Sequence, residues 1–393
     1  MKAGLEVHQQ LSTGKLFCEC PAELSETVAL TLTRRLRATS GENLTVDAAV
    51  AFQAAKGLAY RYEATPTSCL VELDEEPPHG LNPEAIEVAL TMALLLRARP
   101  VDEIEVMRKM VVDGSNTAGF QRTALVAVDG TLKVGGRSYT IPSICLEEDA
   151  ARKVREGKGE LTYRLDRLGI PLIEIATGPE IRHGAEAREV AEEIGSLLRS
   201  TRRVRRGIGT IREDVNVSAE GGARVEIKGV QDLRLLEKYG QGEEDRQRIL
   251  LRIRDELNRR SARVPDDPPV EVTHLVNPSA KGGLAEAVRH GGLVLGLRLE
   301  GFAGLLRSAN GEAERLGREL ADYARTTGLK GIVHSDELPN YGLDERTIEW
   351  VRAELACRDP DAFVLIAAPD VELAERAVAR VRERAKVALT GIP

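Results

Sequence analysis

The chain has 393 residues, of which 42% are hydrophobic and 30% are charged, so it is long enough for two or three domains with packed cores. Its 55 basic and 62 acidic side chains leave a formal net charge of −7, which excludes binding of nucleic acid by bulk positive charge but is compatible with a local basic patch. Aromatic residues make up only 3%, which argues against a base-stacking surface as the main binding site.

Helices and strands alternate through the first two thirds of the chain. Asn82 and Pro83 are a helix cap and first helical residue, and they predict a helix over 83–97. A second helix is predicted over 186–200. Period-two alternation of apolar and polar residues predicts strands over 4–10, 171–177, 211–218 and 224–229. This pattern indicates a largely antiparallel sheet with one covered and one open face.

The strongest break in composition is the proline-rich segment 264–269. A charged surface helix is predicted before it, over 241–263, and a domain boundary is therefore predicted near 264–270. Beyond the boundary the pattern predicts a small α+β domain. Its expected strands are 293–299, 331–334 and 363–368, and its expected helices are 311–327, 344–356 and 371–389.

Several common catalytic signatures are absent from the sequence. No G-x-x-x-x-G-K-[ST] phosphate loop occurs, and neither H-E-x-x-H nor G-x-S-x-G is present. No cysteine lies in a recognisable nucleophile signature with a paired histidine. The sequence therefore does not predict a covalent intermediate on the protein's own side chains.

The five cysteines are too few and too scattered for a disulfide framework. Cys18 and Cys20 form a C-x-C pair that could begin a zinc site, with Cys69 and Cys145 as further ligands. That spacing is poor for tetrahedral zinc, which usually uses C-x₂₋₄-C pairs, and buried inert thiols are the alternative.

Polar side chains that could carry chemistry stand on the predicted strands. Glu6 and His8 are two residues apart and therefore point to one side of a strand, either as a joint carboxylate–imidazole pair or as two solvated side chains. Glu174 is the single charge in an apolar strand, and a buried carboxylate needs a metal or an ionic partner such as Arg164 or Arg167.

Two further acidic features leave the same choice open. The run 147–149 is Glu-Glu-Asp, and its carboxylates repel one another unless a cation compensates; the alternative is a charged turn or helix start. Asp214 lies between Arg212 and Asn216 on one face of a strand, or is simply solvated there. Together these oxygen donors suit a hard cation such as Mg²⁺, and Arg212, Arg224 and Lys228 suit a triphosphate.

Nine longer motifs together resemble one family, the archaeal glutamyl-tRNA(Gln) amidotransferase E subunits, which belong with the B subunits to the GatB/GatE family. The resemblance runs through nearly the whole chain. Its motifs are GLEVHQQL (4–11), KLFCECP (15–21), VELDEEPPH (71–79), DGSNTAGFQRT (113–123), LEEDA (146–150), YRLDRLGIPLIEI (163–175), GTIREDVNV (209–217), RVEIKGVQ (224–231) and HSDELPNYG (334–342).

The resemblance implies an ATP-dependent enzyme that phosphorylates the γ-carboxylate of glutamate on tRNA(Gln) and lets ammonia displace the phosphate. It implies ATP and Mg²⁺ as cofactors. The implied metal ligands are Glu6, His8, Glu148 and Glu174, and Asp214 also lines the site. The implied phosphate or substrate contacts are Lys109, Ser115, Asn116, Gln121, Arg212 and Lys228.

The resemblance also implies the organisation of the protein and its partners. Residues 1–268 correspond to the cradle domain that binds ATP and metal, and 269–390 to an insertion domain like that of bacterial-type aspartyl-tRNA synthetases. Residues 391–393 would begin a return to the cradle, with the helical and tail domains of the family absent. The expected partners are Glu-tRNA(Gln) and an asparaginase-like amidotransferase D subunit that supplies ammonia, in a heterotetramer of two D and two E subunits. A truncated, non-catalytic fragment that docks the D subunit or tRNA is the alternative.

No membrane partner is expected. No apolar run approaches the ~18 residues that span a bilayer, and Glu6 and His8 stand where a signal peptide would have its apolar stretch. The sequence therefore predicts a cytoplasmic protein.

Overall fold

The computed structural model describes residues 1–35, 54, 57–307 and 316–392. The chain forms two compact units. The first comprises Met1–Val217 and Val225–Gln241, and the second comprises Ser218–Arg224 and Gly242–Pro393. Each unit combines helices with antiparallel sheet, which confirms the predicted α+β class.

The first unit contains twelve strands among its described residues. They are β1 (Lys2–Gln10), β2 (Leu30–Arg34), β3 (Ala59–Ala64), β4 (Arg99–Pro100), β5 (Val106–Met110), β6 (Phe120–Val134), β7 (Arg137–Glu148), β8 (Arg152–Gly157), β9 (Glu160–Arg164), β10 (Pro171–Ala176), β11 (Ile211–Ser218) and β12 (Val225–Val230). The main sheet has the order β12-β11-β1-β10-β7-β6-β4, with β5 also paired to β6. A smaller sheet has the order β2-β3-β9-β8, in which β3 and β9 run parallel.

Two helices cover one face of the main sheet, α1 (Pro83–Leu95) and α2 (Gly184–Ser200). Alternate apolar side chains of the central strands pack against them, because successive residues of a strand point to opposite faces. The strand residues in this core include Leu5, Val7, Ile144, Leu146, Ile173 and Ile175, and the helix residues include Val88, Met92, Val190 and Ile194.

The predicted cap of α1 is present. The Asn82 side chain accepts hydrogen bonds from the backbone N–H groups of Glu84 and Ala85 at 2.9 and 3.3 Å, and Pro83 follows it. We expect Asn82→Ala to lower the free energy of unfolding by about 1 kcal/mol, since two helix-end donors lose their acceptor. Urea unfolding measures this. Thr91→Ala, on the exposed side of the same helix, is the control and should be neutral or slightly stabilising; an equal loss in both variants would contradict the capping role.

The second unit is built on a four-stranded antiparallel sheet of order β13-β14-β16-β15. Its strands are β13 (Val270–Glu271), β14 (Leu293–Leu299), β15 (Val333–His334) and β16 (Ala362–Ala368). Helix α3 (Leu233–Arg259) ends in this unit, and α4 (Gly283–Arg289), α5 (Leu316–Arg325), α6 (Glu345–Glu354) and α7 (Val371–Thr390) follow.

Both faces of this sheet are buried. Leu295, Leu297 and Ile366 join one apolar cluster, and Val294 and Leu365 join another on the opposite face. A sheet covered on both sides needs continuous apolar strands rather than alternating ones, and β14 and β16 have that composition.

Two predictions differ from the structure. The helix predicted over 241–263 is α3, which begins at Leu233, and its Leu250 and Leu257 are core residues rather than part of a surface helix. The boundary predicted near 264–270 lies inside the second unit. Of the helix predicted over 311–327, residues 311–315 lie outside the described residues. Within the described ranges, no helix is both long and apolar enough to cross a bilayer.

Candidate active site

The polar side chains predicted on the central strands converge on the face of the main sheet opposite the helices. Strand pairing places His8 of β1 directly opposite Glu174 of β10, and Glu174 opposite Cys145 of β7. One pleat along β7, Glu147 lies opposite Thr123 of β6. Side chains from four adjacent strands therefore share one surface.

His8, Glu147 and Glu174 form the centre of this surface. The His8 Nε2 atom lies 3.2 Å from Glu174 Oε2 and 3.7 Å from Glu147 Oε2. One ligand atom from each of the three lies within 4.8 Å of the others. His8 is 8% exposed and Glu147 is 3% exposed. The face predicted to be open to solvent is therefore buried at this point, and its polar side chains bond to one another instead of to bulk water.

The charges of this group shift its protonation. Burial alone would lower the pKa of His8, but the hydrogen bond to Glu174 and the charges of Glu174 and Glu147 raise it. Burial and the charge of Glu174 raise the pKa of Glu147. Burial opposes ionisation of Glu174 too, yet its bond to His8 lowers its pKa. Two carboxylates thus share one imidazole, which is an arrangement that a divalent cation would stabilise.

Glu148 does not join this group, although the resemblance implied it, and not Glu147, as a metal ligand. Its side chain is on the opposite face of β7, where Arg122 Nη1 donates to both of its oxygens at 3.2 Å and the Arg122 N–H donates at 3.2 Å. Burial raises the pKa of Glu148 and the Arg122 charge opposes that rise. A charged turn or helix start was the alternative for the acidic run; instead β7 continues through Glu148, and strand alternation separates the two glutamates.

Glu6 belongs to a second acidic group with Asp214 and Glu226, whose ligand atoms also lie within 4.8 Å of one another. The Asn216 side-chain amide donates to Glu6 Oε1 at 3.0 Å. Lys228 Nζ lies 2.7 Å from Glu226 and 3.5 Å from Asp214. Burial, followed by the charges of Glu174 and Glu226, raises the pKa of Glu6, so Glu6 lies between the two groups electrostatically.

Three of the predicted phosphate contacts border the His8 group. The Gln121 amide donates to Glu147 Oε2 at 3.2 Å, and Lys109 is its partner in the β5–β6 pairing. The Lys109 charge acts to lower the pKa of both Glu147 and Glu174. Arg212 Nη1 lies 3.6 Å from Asp149.

Ser115 and Asn116 lie elsewhere, in the loop between β5 and β6. Ser115 donates to Asp113 Oδ1 from its N–H at 2.9 Å and from its hydroxyl at 2.6 Å. The Asn116 carbonyl accepts from the Gly119 N–H at 3.1 Å. The Ser115 carbonyl also accepts from the Ala151 N–H at 2.8 Å, and none of these bonds reaches the carboxylates of the His8 group.

Glu213 is a buried carboxylate next to Asp214 in the chain, and no described residue donates a hydrogen bond to its Oε2 atom. It is 1% exposed, and burial raises its pKa to about 7 from 4.5. A carboxyl group with a raised pKa favours folding when protonated. The contribution of Glu213 to the free energy of unfolding is therefore fully present below about pH 4.5. It is lost as the pH rises through about 7, a change on the order of 3 kcal/mol.

Glu213→Gln should abolish that loss. We expect parent and variant to have similar free energies of unfolding near pH 4.5, and the variant to be the more stable at pH 8, by denaturant titration. Glu220→Gln, at an exposed side chain, is the control. If the difference in free energy of unfolding between the parent and Glu213→Gln is the same at both pH values, the raised pKa is wrongly assigned to Glu213.

Comparison with known proteins places this surface in a family. The sequence model described as the GatB/GatE catalytic domain matches residues 1–331. The chain belongs to the GatB/GatE catalytic domain family. The matched segment contains every residue of the two acidic groups, and it continues past the predicted boundary at 264–270.

Similar relatives extend the comparison. The E subunit of the glutamyl-tRNA(Gln) amidotransferase of Thermococcus gammatolerans is 49% identical over 397 residues, which cover 100% of this chain and 63% of the relative. The corresponding E subunits of Pyrococcus furiosus and Sulfolobus acidocaldarius are 48% and 47% identical, with 100% of this chain and 63% of each relative covered. The chain thus spans about 63% of the length of the curated relatives that it matches.

Two site residues of this GatB/GatE domain were missed as candidate ligands, Glu147 and Glu226. Counting pleats along β7 from the core residues Ile144 and Leu146 would have placed Glu147 on the polar face. For Glu226 the only sequence signal is its place on the polar face of a predicted strand. Its approach to Glu6 follows from strand order β12-β11-β1, which the local sequence does not encode.

The GatB/GatE domain also brings three cysteines together. Ligand atoms of Cys18, Cys20, Cys69 and Glu72 lie within 4.8 Å of one another, which is a set that suits Zn²⁺. The Cys18 thiol donates a hydrogen bond to Glu72 Oε1 at 3.0 Å. Burial raises the pKa of Cys20 to about 11, which keeps that thiol protonated at neutral pH. Cys145 does not belong to this set; it lies opposite Glu174.

Proposed function

We propose that this chain carries the site at which a glutamyl-tRNA(Gln) amidotransferase converts Glu-tRNA(Gln) to Gln-tRNA(Gln) with ATP. The observation that carries the proposal is the His8–Glu147–Glu174 group, bordered by Lys109 and Arg212, within the family-matched segment. The names of the relatives support the substrate and the reaction class.

Magnesium and ATP are the cofactors that we propose. Two carboxylates with an imidazole are a donor set that can hold Mg²⁺ while leaving positions for water and phosphate oxygens. His8, Glu147 and Glu174 would hold the ion. Glu6 is close enough for its charge to interact with Glu174 and His8. A bound Mg²⁺ would neutralise charge on a transferring phosphoryl group.

The reaction needs no nucleophile from the chain. A carboxylate of the substrate attacks the γ-phosphorus of ATP, ADP leaves, and an acyl phosphate forms. Ammonia then attacks the acyl carbon and phosphate leaves, with one proton lost from the nitrogen. The basic side chains Lys109, Arg212 and Lys228 would bind and orient phosphate oxygens. Burial raises the pKa of Cys145 to about 12, so this thiol on the carboxylate surface is protonated and does not compete as a nucleophile.

Partners and context complete the proposal. Ammonia would come from an asparaginase-like D subunit, in a cytoplasmic archaeal assembly of two D and two E subunits. Residues 269–390 would correspond to an insertion domain like that of bacterial-type aspartyl-tRNA synthetases. The α+β architecture and the doubly covered sheet of the second unit are compatible with a separately folded insertion.

The test combines binding with turnover. We expect this chain to bind Mg-ATP in calorimetry, and the full-length E protein with its D partner to form Gln-tRNA(Gln) from Glu-tRNA(Gln), ATP and asparagine, with ADP released. Docking of the D partner or tRNA without nucleotide binding would instead assign the chain as a non-catalytic fragment. ATP turnover with free glutamate in the absence of RNA would redirect the proposal to a small-carboxylate ligase.

A further inference from the structure

A short arginine-rich loop follows α2 and leads into β11. Between Glu193 and Glu213 the sequence has no acidic residue but has six arginines. They are Arg199, Arg202, Arg203, Arg205, Arg206 and Arg212. In a chain of net charge −7, this is a local reversal of sign, and a polyanion approaching the sheet would be drawn to it.

The loop is tied at both ends to the strand that carries His8. The Arg205 N–H donates to the Gln10 carbonyl at 2.9 Å, and the Gln10 N–H donates to the Thr210 carbonyl at 2.8 Å. The Gln9 side-chain amide donates to the Arg205 carbonyl at 3.0 Å and to the Thr210 carbonyl at 2.9 Å. Residues 206–209, called the tip, are therefore held next to Gln10, two residues from His8.

The tip itself is bare. Ile208 is 101% exposed, and the glycines on either side of it have φ values of +122° and +82°; beyond the glycine and its two chain neighbours, no atom of the described residues lies within 4 Å of the position of a Cβ at either glycine. Arg206 is exposed. Arg203, by contrast, pairs with Glu84 at 3.1 Å, whereas no carboxylate of the described ranges lies within ion-pairing distance of Arg206.

A single exposed apolar residue on a surface needs no explanation. Here a fully exposed isoleucine lies next to an unpaired guanidinium, on a loop fixed beside a carboxylate surface. A guanidinium binds phosphate, and an aliphatic side chain packs on the face of an unstacked base. ATP already has candidate partners in Lys109 and Arg212, which lie over the sheet.

We propose that the tip binds the single-stranded 3′ end of the aminoacylated RNA, with Arg206 on a phosphate and Ile208 against an unpaired base. The tip would thereby set the approach of the esterified amino acid to the His8 group. This inference rests on the proposed function, because it takes its substrate from it.

The test compares matched variants in the full-length E protein with its D partner. Arg206→Ala and Ile208→Ala alter the tip. Arg97→Ala and Leu94→Ala alter an exposed arginine and a 75% exposed leucine at and near the end of α1, which covers the other face of the sheet. Glu-tRNA(Gln) binding is measured over a range of salt concentrations, ATP binding by calorimetry, and folding by thermal unfolding.

We expect Arg206→Ala to raise the RNA Kd on the order of fivefold and to reduce the salt slope by about 1, and Arg206→Lys to restore the slope. Ile208→Ala should raise the Kd about twofold to threefold without changing the slope. ATP binding, melting temperature and both α1 variants should match the parent.

Parent-like RNA binding by both tip variants would overturn the inference, and so would weaker ATP binding with unchanged RNA binding, which would assign the tip to the nucleotide. A parent enzyme that binds no Glu-tRNA(Gln) would instead refute the proposed function, so the two failures are distinguishable.

Discussion

Glutamine in place of Glu174 is expected to remove tight divalent-cation binding and to slow Gln-tRNA(Gln) formation by the complete enzyme about 100-fold or more. Glu174 is the central member of its group, 3.2 Å from His8 Nε2 and electrostatically coupled to Glu147. The amide keeps the size of the side chain but removes its charge, so the loss should appear in cation affinity rather than in folding. Calorimetry with Mg²⁺ or Mn²⁺ and an amide-formation assay measure the two effects.

Glu147 and Glu148 supply the matched comparison. Glu147→Gln should resemble Glu174→Gln, because Glu147 Oε2 lies 3.7 Å from His8 Nε2. Glu148→Gln should keep cation binding and lose stability, because its carboxylate pairs with Arg122 on the other face. The opposite result, parent-like cation affinity in Glu147→Gln and lost affinity in Glu148→Gln, would show that Glu148 is the ligand, as the resemblance implied.

Arg122→Ala is expected to lower the free energy of unfolding by about 3–5 kcal/mol, the usual effect of leaving a buried carboxylate without its partner. Arg122 makes three hydrogen bonds to Glu148 and lies over the Phe17 and Phe120 rings. The pKa of Glu148 is raised by burial, and removal of the arginine should raise it further. The loss in free energy of unfolding should therefore shrink as the pH falls below the unfolded-state pKa of Glu148, because the carboxyl is then protonated in both states.

Denaturant unfolding of a double-mutant cycle checks this. The cycle compares Arg122→Met and Glu148→Gln with the double variant, which removes both charges at similar volume and should recover most of the loss of Arg122→Met. Additive losses in the two single variants would show that the pair is not coupled and that Arg122 acts only through its packing.

Strand alternation made much of the site readable before the fold was known. Glu6 and His8 do share a surface, and Glu174 does find a partner within the sheet, His8, rather than the arginines Arg164 or Arg167. The position of each side chain relative to its own strand is a local property, and periodicity in the sequence reports it.

What periodicity could not report is where a strand ends and which strand lies next to it. No strand was predicted over the residues of β7, so the opposite orientations of Glu147 and Glu148 were not anticipated. Leu250 and Leu257 have helical spacing on a charged helix, and only the later strands of the second unit create the core that buries them. These errors are long-range, because strand pairing and layer packing depend on residues far apart in the chain.

The edges of the second unit's sheet have a consequence for solubility. Its two central strands are seven residues long and mostly apolar, a composition that favours aggregation when the backbone is left unpaired. The outer strands Val270–Glu271 and Val333–His334 are two residues each, and short edge strands offer little template to another molecule. Detachment of either outer strand would expose the unpaired backbone edge of a seven-residue central strand. Self-association on mild heating should therefore begin with detachment of one of these two short strands.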